Sequence, residues 1–150
     1  MQLKTPCTFF AVRRLSRQIS QVYDHRLGKV GLKTTQYSLL SHIRALPDAS
    51  MGELAAAMGM DRSTLTRNLR PLIDAGWAQT RRGTDARSQS VALTDTGRQV
   101  LTRARPAWRA AQAELSHLLG ADLAQQLHQL AEAAAEQLAG LDGLDEASLP

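Results

Sequence analysis

Cysteine occurs once in these 150 residues, as Cys7, and Phe, Trp and Tyr together make up only 4% of the chain. A lone cysteine excludes an intramolecular disulfide framework and fits a reducing cytoplasm. No basic-then-apolar leader is visible, and no apolar run approaches the roughly 18 residues of a membrane span, so neither secretion nor membrane insertion is expected. Histidine is sparse too. His25, His42, His117 and His128 include no pair at the spacing of a preformed helical metal site, so no metal is expected. A Gly-rich phosphate loop, a nucleophile elbow and paired carboxylates in an apolar setting are also missing. The chain is therefore read as a non-enzyme without a cofactor.

What is present is arginine, unevenly placed. The net charge is +4 at pH 7. Residues 1–61 carry a net of +4. Residues 62–105 hold nine Arg against Asp74, Asp85 and Asp95, a net of +6, whereas residues 106–150 hold Arg109 against seven acids, a net of −6. A basic centre beside an acidic tail implies that one part meets a polyanion while the other stays off it. With few aromatics, Leu, Ala, Val and Met must fill the core, and an apolar content of 43% suffices for one.

Helical periodicity begins near Phe9, where Val12, Leu15, Ile19, Val22, Leu27 and Val30 form one apolar stripe that ends at Gly28 and Gly31. A second helix is expected from Thr34 or Thr35, either able to cap it, through Tyr37, Leu39, Leu40 and Ile43 to Leu46. Ser50 and Glu53 have capping-box spacing and open a third helix, with Leu54, Ala55 and Met58 inward. Gly59 allows a tight turn and Asp61 caps a fourth helix to about Ala75, with Leu65, Leu69, Leu72 and Ile73 inward. Pro71 should kink or loosen its last turn. After Gly76, residues 77–82 and 88–93 read as a hairpin, with Val91 and Leu93 inward by alternation. Thr94 caps a long helix through Trp108 and Leu115 to about Leu119. Beyond a break at Gly120, Leu123, Leu127, Leu130, Ala134, Leu138 and Leu141 approach a heptad seam.

The expected fold is mainly α with a small β-hairpin wing: a winged helix-turn-helix domain flanked by dimerisation helices. Its boundaries fall at 1–33 for the N-terminal dimerisation helix and 34–97 for the winged domain. Residues 98–141 form the C-terminal dimerisation helices, and 142–150 a disordered tail. Helix–Gly–helix alone is a weak signal; an Arg-rich hairpin directly behind it makes it specific. The recognition face should comprise Arg62, Ser63, Thr64, Thr66 and Arg67 in the major groove. Phosphate contacts are expected from Thr34, Thr35, Arg70, Arg81 and Arg82, with one of the last two facing the protein. Arg87 at the hairpin tip should probe the minor groove, oriented by Asp85.

The chain resembles the MarR family of bacterial transcriptional regulators. The residues that carry the resemblance are 31–37 (GLKTTQY), Glu53-Leu54-Ala55, Leu65-Thr66-Arg67, Leu72, Ala75-Gly76, Asp85-Ala86-Arg87 and 93–98 (LTDTGR). The resemblance implies a homodimer whose terminal helices interlock, a pseudo-palindromic operator on double-stranded DNA, and release by an effector or by oxidation. Repression is the expected direction. A small aromatic or phenolic ligand is implied between the dimer helices and the winged domain, where Arg13, Arg17, Tyr37 and His42 are candidate lining groups. A branch of the family senses hydroperoxides through an N-terminal cysteine. By that resemblance the thiol would stand about two residues later, where this chain has Phe9. Cys7 therefore keeps two readings, a small apolar residue and a redox-sensing thiol made reactive by a helix N-terminus. A winged-helix protein-interaction module would share the fold, but it leaves the Arg excess of residues 62–105 unexplained.

Overall fold

A computed structural model describes residues 7–82 and 89–139. The elements are α1 (Thr8–Leu27), a 3-10 turn (Gly28–Val30), α2 (Thr34–Ala45), α3 (Met51–Ala57), α4 (Arg62–Asp74), β1 (Ala78–Arg82), β2 (Gln89–Leu93), α5 (Asp95–Leu119) and α6 (Ala121–Leu138). By their contacts, residues 1–112 and 113–150 form two compact units.

In the first unit, Leu27, Leu39, Leu40, Ile43, Leu54, Leu65, Leu69, Leu72, Val91 and Leu101 are fully buried. Each such side chain contributes about 1.5–3 kcal/mol of apolar burial. The core thus draws on α1 to α5 and on the hairpin. β1 and β2 pair antiparallel in the register Ala78↔Leu93, Thr80↔Val91 and Arg82↔Gln89. Val91 and Leu93 point inward as expected, but Ala92 is buried as well. Strict alternation fails there because both faces of this end of β2 are covered. An isolated antiparallel bridge joins Ser50, just before α3, to Ser90 of β2.

The apolar stripe of α1 is largely left open: Val12 is 58% exposed and Val30 is exposed, while Tyr23 and Leu27 of the helix are buried. One expectation needs correction: neither Thr34 nor Thr35 caps α2. The cap position is Lys33, whose side chain has no acceptor. Asp24 of α1 reaches across instead: its Oδ1 accepts from the Thr34 amide (2.7 Å) and the Thr34 hydroxyl (2.6 Å). Gln36 completes the start by accepting from the Lys33 amide at 2.9 Å.

Pro71 does not break α4, which runs on to Asp74. The proline sits exposed near the helix end, so water can serve the Arg67 carbonyl that it leaves without an amide donor. Pro106 is also carried within α5, at mid-helix and exposed.

In the second unit α6 has no buried residue, and Leu118, Leu123, Leu130 and Leu138 are each more than half exposed. No helix of the described residues is long and apolar enough to cross a membrane.

Candidate nucleic-acid interface

The start of each helix around the turn is fixed by a side chain near it in sequence. Ser50 and Glu53 make a full capping box at α3: Ser50 Oγ accepts from the Glu53 amide (3.2 Å) and Glu53 Oε2 from the Ser50 amide (2.8 Å). Hydrogen bonding to Ser50 holds the Glu53 carboxyl below its ordinary range. Gly59, at φ 61, makes the left-handed turn that follows α3. Asp61 then caps α4, accepting from the Thr64 amide at 2.8 Å.

The side chains on the outer face of α4 are also linked. Ser63 Oγ donates to Asp61 Oδ1 at 2.5 Å and Thr64 Oγ1 to Asp61 Oδ2 at 2.7 Å. These hydrogen bonds, that from Ser63 first, drive the Asp61 carboxyl far below the usual carboxylate range. An Arg67 guanidinium nitrogen donates to Thr64 Oγ1 (3.2 Å), and Thr66 Oγ1 donates back to the Arg62 carbonyl (2.8 Å). Arg62, Ser63, Thr66, Arg67 and Arg70 are exposed and Thr64 is half-buried, while Leu65, Leu69 and Leu72 of the same helix lie in the core. Arg70 pairs with Asp74 at 3.5 Å.

The hairpin is held to the end of α4 and the start of α5 through Trp77. Its amide donates to the Leu72 carbonyl (2.9 Å), and its carbonyl accepts from the Thr94 amide (3.0 Å). Thr94 Oγ1 donates to the Gly76 carbonyl (2.6 Å) and accepts from the Gly97 amide (3.0 Å), which makes it the expected cap of α5. Gly97 lies so close to Trp77 that a Cβ there would overlap the Trp77 carbonyl oxygen. Arg98 donates to the Leu93 carbonyl (2.9 Å) and pairs with Asp95. A polar helix and an Arg-bearing hairpin are thereby set on one rigid frame.

Comparison with known proteins settles what this frame is. Residues 30–88 match the model of the MarR family. The M. tuberculosis transcriptional regulator MosR, solved in complex with DNA, is 38% identical with a TM-score of 0.75, over 87% of this chain and 98% of that one. The chain belongs to the MarR family. CouR, a transcriptional repressor solved on a 23-mer DNA duplex, is 27% identical with a TM-score of 0.77, covering 90% of this chain and 99% of that one. A second CouR structure is bound to p-coumaroyl-CoA. The HTH-type transcriptional regulator YwoH of Bacillus subtilis is 29% identical over 83 residues, which are 55% of this chain and 61% of that protein.

For a MarR-family chain the other expected site residues distribute as follows. Both Arg81 and Arg82 are exposed, so neither turns into the protein as alternation suggested. The short ribbon leaves both faces of this end open. Thr35 is exposed beside Thr34, whose two donors both go to Asp24. Asp85 and Arg87 lie outside the described residues. Of the effector candidates, Tyr37 is buried and stacks on Trp108, ring centroids 5.9 Å apart and 17° from coplanar. His42 is half-buried with Nδ1 2.8 Å from the Ser38 carbonyl. Arg13 and Arg17 are exposed on α1, and the Arg13 guanidinium sits over the Phe9 ring at 5.4 Å. Cys7 is exposed at the cap position of α1, its carbonyl accepting from the Ala11 amide. Among the described residues no group of three or more His, Cys, Asp or Glu could hold a metal. The sequence reading missed Asp24, the Tyr37–Trp108 stack and the Gly97–Trp77 approach. Each joins residues far apart in the chain, beyond the reach of local spacing.

Proposed function

We propose that the protein is a sequence-specific repressor that binds a pseudo-palindromic operator as a homodimer and is released by a small aromatic or phenolic ligand. The observation that carries this reading is the division of α4. Its Leu face is buried, while its Arg62, Ser63, Thr66, Arg67 and Arg70 face is open, in a stretch of net charge +6. Arg62, Ser63, Thr64, Thr66 and Arg67 read base edges in the major groove. Thr35, Arg70, Arg81 and Arg82 contact phosphates, and Arg87, oriented by Asp85, enters the flanking minor groove. Thr34 contributes less than the sequence suggested, because a phosphate needs a donor and both donors of Thr34 serve Asp24.

Association of two copies is supported by apolar surface. Phe9, Phe10 and Val12 of α1 are exposed, Phe9 by 69%, as are four leucines from Leu118 to Leu138. Large open apolar surface is covered in stable proteins, and a twofold interface covers it at both chain ends. In the proposed organisation residues 1–33 and 98–141 supply the dimerisation helices and 34–97 the DNA-binding domain. The effector reading draws on the ligand-bound CouR relative, with Tyr37, His42, Arg13 and Arg17 as candidate lining groups between the dimer helices and the winged domain.

The test is an anisotropy titration of the purified protein with a duplex selected from genomic fragments, repeated across salt concentrations. The logarithm of affinity should fall linearly and steeply with the logarithm of salt, as counterions are released. Absence of duplex binding at low salt, or salt-insensitive binding, would refute the reading in favour of a protein-interaction module.

A further inference from the structure

The hydrogen bonds around Asp61 have a consequence for which bases α4 can read. An ionised carboxylate only accepts, so in both contacts the hydroxyl must be the donor. Ser63 and Thr64 each have a single hydroxyl proton, and both protons point at Asp61. Only lone pairs remain outward, and Arg67 takes up one of those on Thr64. The tip of the helix is therefore an acceptor, flanked by the donors Arg62 and Arg67.

In the major groove the acceptors are guanine O6 and N7, adenine N7 and thymine O4; the donors are the exocyclic amines of adenine and cytosine. Every base pair carries one such amine. A protein acceptor thus fixes which strand presents it, separating A from T and C from G. Resting on the DNA-binding reading above, we propose that Asp61 is a specificity-positioning residue that forces Ser63 and Thr64 to accept from the exocyclic amine of adenine or cytosine. Phosphate oxygens, being acceptors, are excluded as partners of these two hydroxyls by the same argument.

The decisive variant is Asp61→Asn. Asparagine caps helices as well as aspartate, so α4 keeps its start. With the cap kept, its carbonyl oxygen stays where the Thr64 amide and the Ser63 hydroxyl both donate, so its amide nitrogen faces Thr64 Oγ1, donates to it and frees that hydroxyl's proton for guanine O6 or thymine O4. Removing a carboxylate beside DNA strengthens binding to any duplex, so base preference rather than affinity is the quantity to read. A role confined to capping would alter melting and leave that preference unmoved.

Selected-site enrichment is run on the parent, Asp61→Asn and Ser63→Ala, with thermal melts of each. The parent should enrich adenine or cytosine on one strand at the places that Ser63 and Thr64 face in each half-site. That preference should fall by about 2- to 12-fold, the range of one hydrogen bond, at the Thr64 place in Asp61→Asn and at the Ser63 place in Ser63→Ala. A parent operator whose base preferences are unchanged in both variants overturns the proposal and leaves DNA binding standing, as does enrichment of guanine or thymine at the Ser63-dependent position. A parent that enriches no sequence overturns the DNA-binding reading itself. Should Asp61→Asn melt below the assay temperature, Ser63→Ala decides alone, since it leaves the cap intact.

Discussion

Replacing Gly97 by Ala should destabilise the protein, although helix propensity alone predicts the reverse. Ala is better than Gly within a helix by about 0.8–1.0 kcal/mol, and Gly97 lies in the first turn of α5. The gain is overridden by Trp77. A Cβ on Gly97 would overlap the Trp77 carbonyl oxygen and stand 2.8 Å from its carbon and 3.2 Å from its Cα, where ordinary contact begins at 3.4 Å. All three neighbours are backbone, so no side chain can swing away. Relief requires α5 to part from the Trp77 turn, and three hydrogen bonds cross or brace that seam: Thr94 N–H to Trp77 O, Thr94 Oγ1 to Gly76 O, and Gly97 N–H to Thr94 Oγ1.

Overpacking of this kind costs about 1–3 kcal/mol. Weakening one or two of those hydrogen bonds adds about 1 kcal/mol each. The net, after the propensity gain, is about 1–4 kcal/mol. At about 2–4 °C per kcal/mol for a chain of this size, Tm should drop by roughly 2–16 °C. The assay is thermal unfolding followed by circular dichroism at one fixed protein concentration, because the proposed association would make Tm depend on concentration. Gly52→Ala is the matched control. A Cβ there meets only Ser50 Oγ, at 3.9 Å, so Ala in α3 should raise stability by about 0.4–1 kcal/mol. A Gly97→Ala protein that melts at or above the parent temperature would refute the reasoning.

Arg70→Gln separates a structural from a DNA-contacting role. The Arg70–Asp74 pair is exposed on both sides, so its loss should change stability by no more than about 0.5 kcal/mol. The salt dependence of operator affinity should nonetheless weaken by about one phosphate contact per subunit, and an unaltered slope would remove Arg70 from the interface. Acid titration tests the Asp61 cap. Its carboxyl is held below its unfolded value, so the stabilisation is complete above the ordinary Asp range near pH 4 and is lost as pH falls through the depressed folded value. The Tm gap between the parent and Asp61→Ala should therefore be constant from about pH 8 to pH 5 and narrow only below about pH 4; a gap that closes near neutrality would contradict that origin.

The parts legible in the sequence were those fixed by neighbours within a turn or two. Ser50 with Glu53, Asp61 at the start of α4 and Thr94 at the start of α5 were all visible as capping residues before a periodic run, and the structure has each in that role. The break at Gly120 was visible for the same reason. Thr34 shows where such reasoning stops. A threonine before an apolar run is an acceptable cap by type, yet a carboxylate ten residues earlier, Asp24, takes both of its donors. Nothing in the spacing of residues 24 and 34 reveals that α1 and α2 meet there. Gly97 is the same lesson from packing: its place in the helix suggests tolerance, and only the Trp77 carbonyl forbids a side chain. Of the candidate site, residue types on α4 were legible, but not their hydrogen-bond polarity.

A common device underlies these particulars. Among the described residues of the first unit, Asp24, Glu53, Asp61 and Asp95 are each engaged at the start of a helix, α2, α3, α4 and α5 in turn, and Asp74 is paired with Arg70. Carboxylates at helix N-termini face the positive end of the dipole; Asp24, Glu53 and Asp61 bond to amides or hydroxyls there and Asp95 to the Arg98 guanidinium, so they build the frame while being locally compensated. Placing the acids in this way lets the outer face of α4 and the strand β1 carry Arg62, Arg67, Arg81 and Arg82 exposed. Within residues 62–105 the described acids, Asp74 and Asp95, stay exposed but are each paired with an arginine, Arg70 and Arg98, so the positive excess of that stretch is carried by its other arginines, as binding to a polyanion requires. On this argument, moving one of those acids outward by a turn would weaken DNA binding even where the fold survives, because the same charge would face phosphate instead of an amide.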